Sequence, residues 1–293
     1  MKPLVPEPPP PQRYAVLGNP VEHSLSPWIH GQFALQTGQN ITYDRVLSPL
    51  EGFKATLDAF IAQGALGCNI TVPFKFEAFS LAQTCSPRAL LAEAVNTLRF
   101  DETGWVGDNT DGAGLVKDIS FHAQQTIHQQ RVLLIGAGGA AAGVLGPILE
   151  QKPAHVRVVN RRLDRAIQLV ERHQKLAHSL GVQLDAHELM HACSPLESGW
   201  DIVINATASS LYQDEIPVSS AVLGPNCLAV DLMYGPAAQH FMGWAQKQGA
   251  RARDGLGMLV EQAAEAFYFW RGIRPTTTEI LAQLRERLDH GKG

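Results

Sequence analysis

The chain of 293 residues is 45% hydrophobic and 18% charged, the proportions of an ordinary globular protein able to bury a core. At roughly 150 residues per domain, its length suits two domains. A net charge of −4 and a pI near 6.3 exclude the basic footprint of general nucleic-acid binding, and no apolar run reaches the roughly 18 residues of a membrane span.

The first residues, 1–12, are too rich in proline for a signal-peptide core and read as an extended tail. From Arg13 onward, short apolar runs alternate with amphipathic stretches, the signature of an α/β protein. Tyr14–Gly18 reads as a strand, followed by a loop through His23 and Ser24. Ser26-Pro27 then suits the N-cap and first position of a helix reaching about Thr37. Tyr43–Leu47 is a second strand, Leu57–Gln63 belongs to a helix, and Gly67–Val72 is a third strand stopped by Pro73. Another strand is expected over Ala94–Phe100. The polar, turn-rich Gly107–Gly112 marks a domain boundary. Beyond it come a strand from Arg131, a glycine turn, a helix over Ala140–Glu150, a strand over His155–Asn160 and a helix over Asp164–Leu176. Asp201–Asn205 and Cys227–Asp231 are further buried strands, and Pro236 opens a helix ending near Gly249. Two amphipathic helices, Gly257–Arg271 and Thr276–Leu288, close the chain, the last begun by a capping box at Thr276 and Glu279.

Chemistry concentrates in a few of these segments. Gly136-Ala137-Gly138-Gly139-Ala140-Ala141 has the G-x-G-x-x-A spacing that lays a pyrophosphate on a helix N-terminus. Such turns also occur where a helix and a strand merely pack closely. The next strand ends in Asn160-Arg161-Arg162, with Arg165 four residues past Arg161. A nucleotide site that reads a free ribose 2′-hydroxyl places an acid there, whereas arginines suit a 2′-phosphate, so the expected cofactor is NADP(H). Asn69-Ile-Thr71-Val-Pro73-Phe-Lys75 points Asn69 and Thr71 to one face and leaves Lys75 beyond the carboxyl end of a strand, where ligands bind in open α/β sheets. A lone lysine in such a place is more often solvated. Asp111 reads equally as a helix cap or a catalytic acid, and Ser24 and Ser26 as turn residues or ligands. The 11 histidines show no metal-ligand spacing. The four cysteines (Cys68, Cys85, Cys193 and Cys227) lack C-x-x-C spacing and read as buried apolar residues in a reducing compartment, which points to the cytoplasm.

Taken together, seven ordered segments resemble the shikimate dehydrogenase family. They are Gly18-Asn-Pro20 through His23-Ser24-Leu-Ser26-Pro27, Asn69-Ile-Thr71-Val-Pro-Phe-Lys75, Ala94-Val-Asn96-Thr, Gly107-Asp-Asn-Thr-Asp111-Gly112, Gly136-Ala-Gly-Gly-Ala140, Asn205-Ala-Thr207, and Asp254-Gly255-Leu-Gly-Met-Leu through Gln262. The resemblance covers nearly the whole chain after the tail. It implies a two-domain α/β protein with a deep cleft: a substrate domain of residues 13–111 and 255–293, and a Rossmann-type NADP-binding domain of residues 112–254. It further implies that Ser24 and Ser26 hold a substrate carboxylate, and that Thr71, Asn96, Asp111 and Gln262 bond the ring hydroxyls, with Tyr234 nearby. Lys75 would be the acid/base, paired with Asp111. Gly136, Ala137, Gly138, Gly139, Ala140, Asn160, Arg161, Arg162, Arg165, Leu232 and Gly255 would line the cofactor site. The implied reaction is reversible NADPH-dependent reduction of 3-dehydroshikimate, a ring ketone, by a monomer or homodimer with small-molecule partners only.

Two departures bear on selectivity: Leu25 stands between the serines and Ala142 follows the glycine turn, where family members often carry basic residues. Two other readings stand beside the first. One is the paralogue that oxidises quinate or shikimate, often with NAD. The other is a non-catalytic sensor of cofactor or metabolite, which would be free to lose Lys75 and Asp111.

Overall fold

The computed structural model describes residues 9–102, 104–192, 199–207, 216 and 218–290. The start of the proline-rich tail and Cys193 lie outside the described residues. Two six-stranded sheets organise the chain. The first contains β1 (Gln12–Gly18), β2 (Ile41–Leu47), β3 (Ala65–Ile70), β4 (Thr84–Cys85), β5 (Thr97–Asp101) and β6 (Gly104–Asp108), in the order β2-β1-β3-β5-β6-β4. β2, β1 and β3 are parallel neighbours, whereas β5 runs antiparallel to both β3 and β6. Helices α1 (Ser26–Thr37), α2 (Phe53–Ala62), α3 (Lys75–Leu81) and α4 (Pro87–Ala92) connect these strands.

Helix α5 (Asp111–Lys117) runs into a π-helical turn, Asp118–His122, and leads to the second sheet. There β7 (Arg131–Ile135), α6 (Gly139–Glu150), β8 (His155–Asn160), α7 (Leu163–Leu180), β9 (Gln183–Glu188), β10 (Trp200–Asn205), β11 (Leu223–Asp231), α8 (Gln239–Lys247) and β12 (Arg251–Arg253) follow one another. All its strand pairs are parallel and the order is β12-β11-β10-β7-β8-β9, the doubly wound arrangement of dinucleotide-binding domains. β7 explains its own unbroken apolar run: Val132 and Leu134 enter one buried cluster while Leu133 and Ile135 enter another on the opposite face.

The chain ends in α9 (Leu256–Arg271) and α10 (Thr278–Asp289). Leu256, Val260, Ala263, Ala264 and Phe267 of α9, with Ile280 and Leu284 of α10, share a core with Ile29 and Phe33 of α1. The last helices therefore pack on the first half, and the Trp270 indole N–H donates to the Leu98 carbonyl of β5 at 2.9 Å. Among the described residues, no helix is long and apolar enough to cross a membrane, and Cys68, Cys85 and Cys227 are unbridged.

Several local expectations need correction. Ser26 is inside α1 rather than its cap; the preceding Ser24 Oγ accepts the Ser26 N–H at 3.3 Å. The capping box at Thr276 does not form. Thr276 instead bonds Gln36 of α1, and Thr277, at the N-cap, gives its hydroxyl to Glu261 Oε1 at 2.6 Å. At the second place tertiary partners capture the side chains that propensity assigns to the helix end. Gly107 and Asp108, expected in a turn, complete β6 by pairing with Leu98 and Thr97 of β5.

Candidate active site

The carboxyl ends of three parallel strands, β1, β2 and β3, come together at one edge of the first sheet, the crevice side of an open sheet. Their register sets Val16 of β1 against Arg45 of β2 and Asn69 of β3. Just past β3, Thr71 keeps strand direction by donating its N–H to the Leu17 carbonyl at 2.9 Å. Four residues further, Lys75 opens α3.

Lys75 Nζ donates to Asp111 Oδ2 at 2.6 Å, with the two side chains only 14% and 7% exposed. Asp111 is the first residue of α5, not its cap. Its backbone N–H is bonded by Asn109 Oδ1 at 3.2 Å, and its second carboxylate oxygen accepts from Asn96 Nδ2 at 2.8 Å. Asn96 also receives the Thr110 N–H at 2.8 Å. Gln262, reaching in from α9, places Oε1 at 3.4 Å from Asn96 Nδ2 and at 3.3 Å from the Thr110 hydroxyl. Lys75, Asn96, Asp111 and Gln262 thus form one contiguous polar cluster.

A second group surrounds the serine loop. Ser26 is buried and Ser24 half-buried. Arg45 holds the loop by donating Nε and Nη2 to the Ser24 carbonyl at 2.9 and 2.6 Å. Tyr234 packs beside Leu25; burial pushes its phenol up, against the Leu25 backbone and the nearby Arg45 charge, which pull it down. Beneath the loop, the Tyr43 hydroxyl donates to Asn69 Oδ1 at 2.7 Å, and the His30 ring stacks on Tyr43 with centroids 4.2 Å apart. Burial pushes His30 down to about 3, so the imidazole is neutral at ordinary pH.

The glycine turn faces this first half. Gly136 has φ +115°, a conformation that disfavours side chains, and Gly138 has open space where a Cβ would project. Gly139 begins α6, and a Cβ on it would lie 3.4 Å from Lys75 Cβ. One turn along, a Cβ on Gly143 would meet Asn109 Oδ1 at 2.7 Å and Asp111 Oδ2 at 3.0 Å. Small residues on α6 therefore let the nucleotide half approach the lysine–carboxylate pair. Ala137 lies in the same turn and packs on the sheet core, Ala140 continues it into the helix, and Leu232 and Gly255 touch where a Cβ on Gly255 would be 2.3 Å from the Leu232 carbonyl oxygen.

At the end of β8, Asn160, Arg161, Arg162 and Arg165 line a cavity of about 240 Å³. Among the described residues no carboxylate pairs with Arg161 or Arg165, and Arg162 lies 3.9 Å from Asp164. The residues fit a phosphorylated dinucleotide: an open glycine turn before a twelve-residue helix offers unpaired N–H groups, and the arginine cavity offers positive charge.

Sequence reasoning missed Asn109 and Thr110, although both sit inside the quoted Gly107–Gly112 segment, and it assigned nothing to Tyr43, Arg45 or His30. Tyr43 and Arg45 alternate onto one face at the end of a parallel strand, which is the signal that marks them.

An α/β protein in which a dinucleotide turn faces a buried lysine–aspartate pair has the plan of a two-domain dehydrogenase. The model for the shikimate dehydrogenase substrate-binding domain matches residues 16–98, that for shikimate/quinate 5-dehydrogenase residues 119–222, and that for the shikimate 5′-dehydrogenase C-terminal domain residues 255–285. The chain belongs to the shikimate dehydrogenase family. It is 57% identical over 279 residues to shikimate dehydrogenase (NADP(+)) of Methylibium petroleiphilum, covering 93% of this chain and 94% of the relative. The solved Ael1 enzyme of Pseudomonas putida shares 42% identity with a TM-score of 0.84, over 93% of this chain and 98% of that one. Shikimate 5-dehydrogenase of Thermus thermophilus, solved with NADP(H) and shikimate, shares 30% identity with a TM-score of 0.79, over 94% and 99%.

Proposed function

We propose that the chain is an NADP(H)-dependent shikimate dehydrogenase that reversibly reduces the ring ketone of 3-dehydroshikimate to the hydroxyl of shikimate. The observation that carries this reading is the ion pair of Lys75 with Asp111, largely buried and faced by Gly139 of the nucleotide half. NADPH, when bound, would supply the hydride for the carbonyl carbon. Lys75 Nζ gives a proton to the carbonyl oxygen as its negative charge develops, and the ammonium stabilises that charge in advance. Asp111 holds the ammonium in place, and Asn96 fixes Asp111 through its other oxygen. In the oxidative direction Lys75 accepts the hydroxyl proton.

Ser24 and Ser26 hold the substrate carboxylate, Thr71, Asn96, Asp111 and Gln262 bond the ring hydroxyls, and Tyr234 closes the serine side. The turn from Gly136 to Ala140 would hold the pyrophosphate, Asn160, Arg161, Arg162 and Arg165 would hold the 2′-phosphate, and Leu232 and Gly255 would line the rest of the cofactor site. A cytoplasmic setting and a monomeric or homodimeric state belong to the same reading. Oxidation rates for shikimate and quinate, each with NADP⁺ and NAD⁺, test it. Shikimate with NADP⁺ should be fastest. A preference for quinate or NAD⁺ would favour the paralogue, and no turnover of either substrate would favour a sensor.

A further inference from the structure

The substrate in the proposed reaction is an anion, and two serine hydroxyls are neutral donors. Hydroxyls orient a carboxylate but supply no formal charge to replace the water it loses. Leu25, between the serines, packs with Tyr234 and Trp28 against the α1–α9 core and offers none. Glu22, on the same loop, adds a negative charge; its carboxylate turns back to accept the Val21 N–H at 3.1 Å.

Arg45 answers this need from a different element. β2 is parallel to β1, and alternation puts Arg45 on the same face as Tyr43, whose hydroxyl lies in the floor beneath the serines. From the carboxyl end of the strand, the guanidinium reaches across to the Ser24 carbonyl with two N–H groups. A planar fork that grips one oxygen with Nε and Nη2 fixes both the loop and the guanidinium plane. Among the described residues Nη1 has no partner. The charge of Arg45 already acts on the Tyr234 phenol, which the Leu25 backbone also bonds.

We propose that Arg45 is the positioning residue for the substrate's anionic end: it clamps the Ser24 carbonyl so that both serine hydroxyls stand in register, and it supplies the positive field for the carboxylate. This rests on the assignment of shikimate as substrate. Arg45 is exposed, so water screens its field and the effect is modest.

Calorimetric titration of shikimate and of shikimate methyl ester into the unaltered protein, Arg45→Gln and Arg45→Lys tests the idea without requiring turnover. The ester keeps the ring and the carbonyl but carries no charge. Arg45→Gln should weaken shikimate binding by roughly three- to tenfold, as expected for a part-screened charge plus a lost clamp, while the ester loses much less. Arg45→Lys should recover part of the loss for shikimate, and added salt should shrink the difference. Kinetic assays should place the effect in KM for shikimate, with kcat and KM for NADP⁺ little changed. Equal losses for shikimate and ester, or unchanged shikimate affinity in Arg45→Gln, would overturn the proposal and leave the substrate assignment standing. Failure of the unaltered protein to bind shikimate would overturn both.

Discussion

His30 is wholly buried below the serine loop, stacked on Tyr43, and among the described residues neither ring nitrogen has a hydrogen-bond partner. Burial holds it near 3, well below the ordinary histidine value of about 6.5. Between these two values only the unfolded chain takes up the proton. Acid therefore drains stability as pH falls from about 6.5 toward 3, and below that both states are protonated and the loss is complete. The slope from this one group reaches about 1.4 kcal/mol per pH unit, and His173, pushed down to about 4 by burial in α7, adds in the same direction. Urea unfolding between pH 7 and pH 5 should show His30→Phe with a distinctly shallower loss of stability than the unaltered chain. Parallel pH profiles would show that His30 is not the group responsible. At this scale the sequence is uneven: Lys75, Asn96 and Asp111 stand in compact motifs whose residue types suit the chemistry. His30 and Arg45 do not, because alternation and helical period give a face but not the partner waiting across the fold.

Among the elements, β7, the glycine turn and α6 were legible because an unbroken apolar strand, positive-φ glycine and small-residue helix each have a distinct pattern. β8 spans His155–Asn160, the bounds expected from its valines at 156, 158 and 159. Short elements were not legible: α3, α4 and β4 hold seven, six and two residues, too few to establish a period. The end of β6, Gly107 and Asp108, was read as a turn because glycine, aspartate and asparagine crowd there. The end of β8 carries its own prediction, since Arg161 and Arg165 line a cavity and lack carboxylate partners among the described residues. Arg161→Ala should raise the dissociation constant for NADPH by roughly tenfold or more, the scale of a lost charge-assisted contact, and leave that for NADH nearly unchanged. Fluorescence titration of both nucleotides measures this, and equal losses would remove Arg161 from any contact with the 2′-phosphate.

For the whole molecule, the return of the last helices matters most. Sequence order puts Gln262 far from Asn96, yet α9 lies between α1 and α5 and brings their side chains to 3.4 Å. The junction is held by ion pairs whose carboxylates are buried and whose arginines are partly exposed. Arg253 of β12 bonds Asp118 after α5 at 2.8 and 2.5 Å, and Arg285 of α10 bonds Asp254 at 2.7 and 2.5 Å. Burial pushes the Asp118 carboxyl up despite Arg253; Asp254 is buried too, but Arg285 and two backbone N–H groups bring it below its usual value. None of this pairing was readable from the sequence, where these arginines look like any solvated surface charge. Its consequence is that α9 completes the polar cluster that holds Asp111 against Lys75. Steady-state oxidation of shikimate by Lys75→Ala, with shikimate binding titrated in parallel, tests that centre most directly. Loss of Lys75 should lower kcat by at least roughly 10²–10⁴-fold, the usual worth of a placed acid/base, with the shikimate dissociation constant changed far less. Turnover close to that of the unaltered enzyme would contradict it.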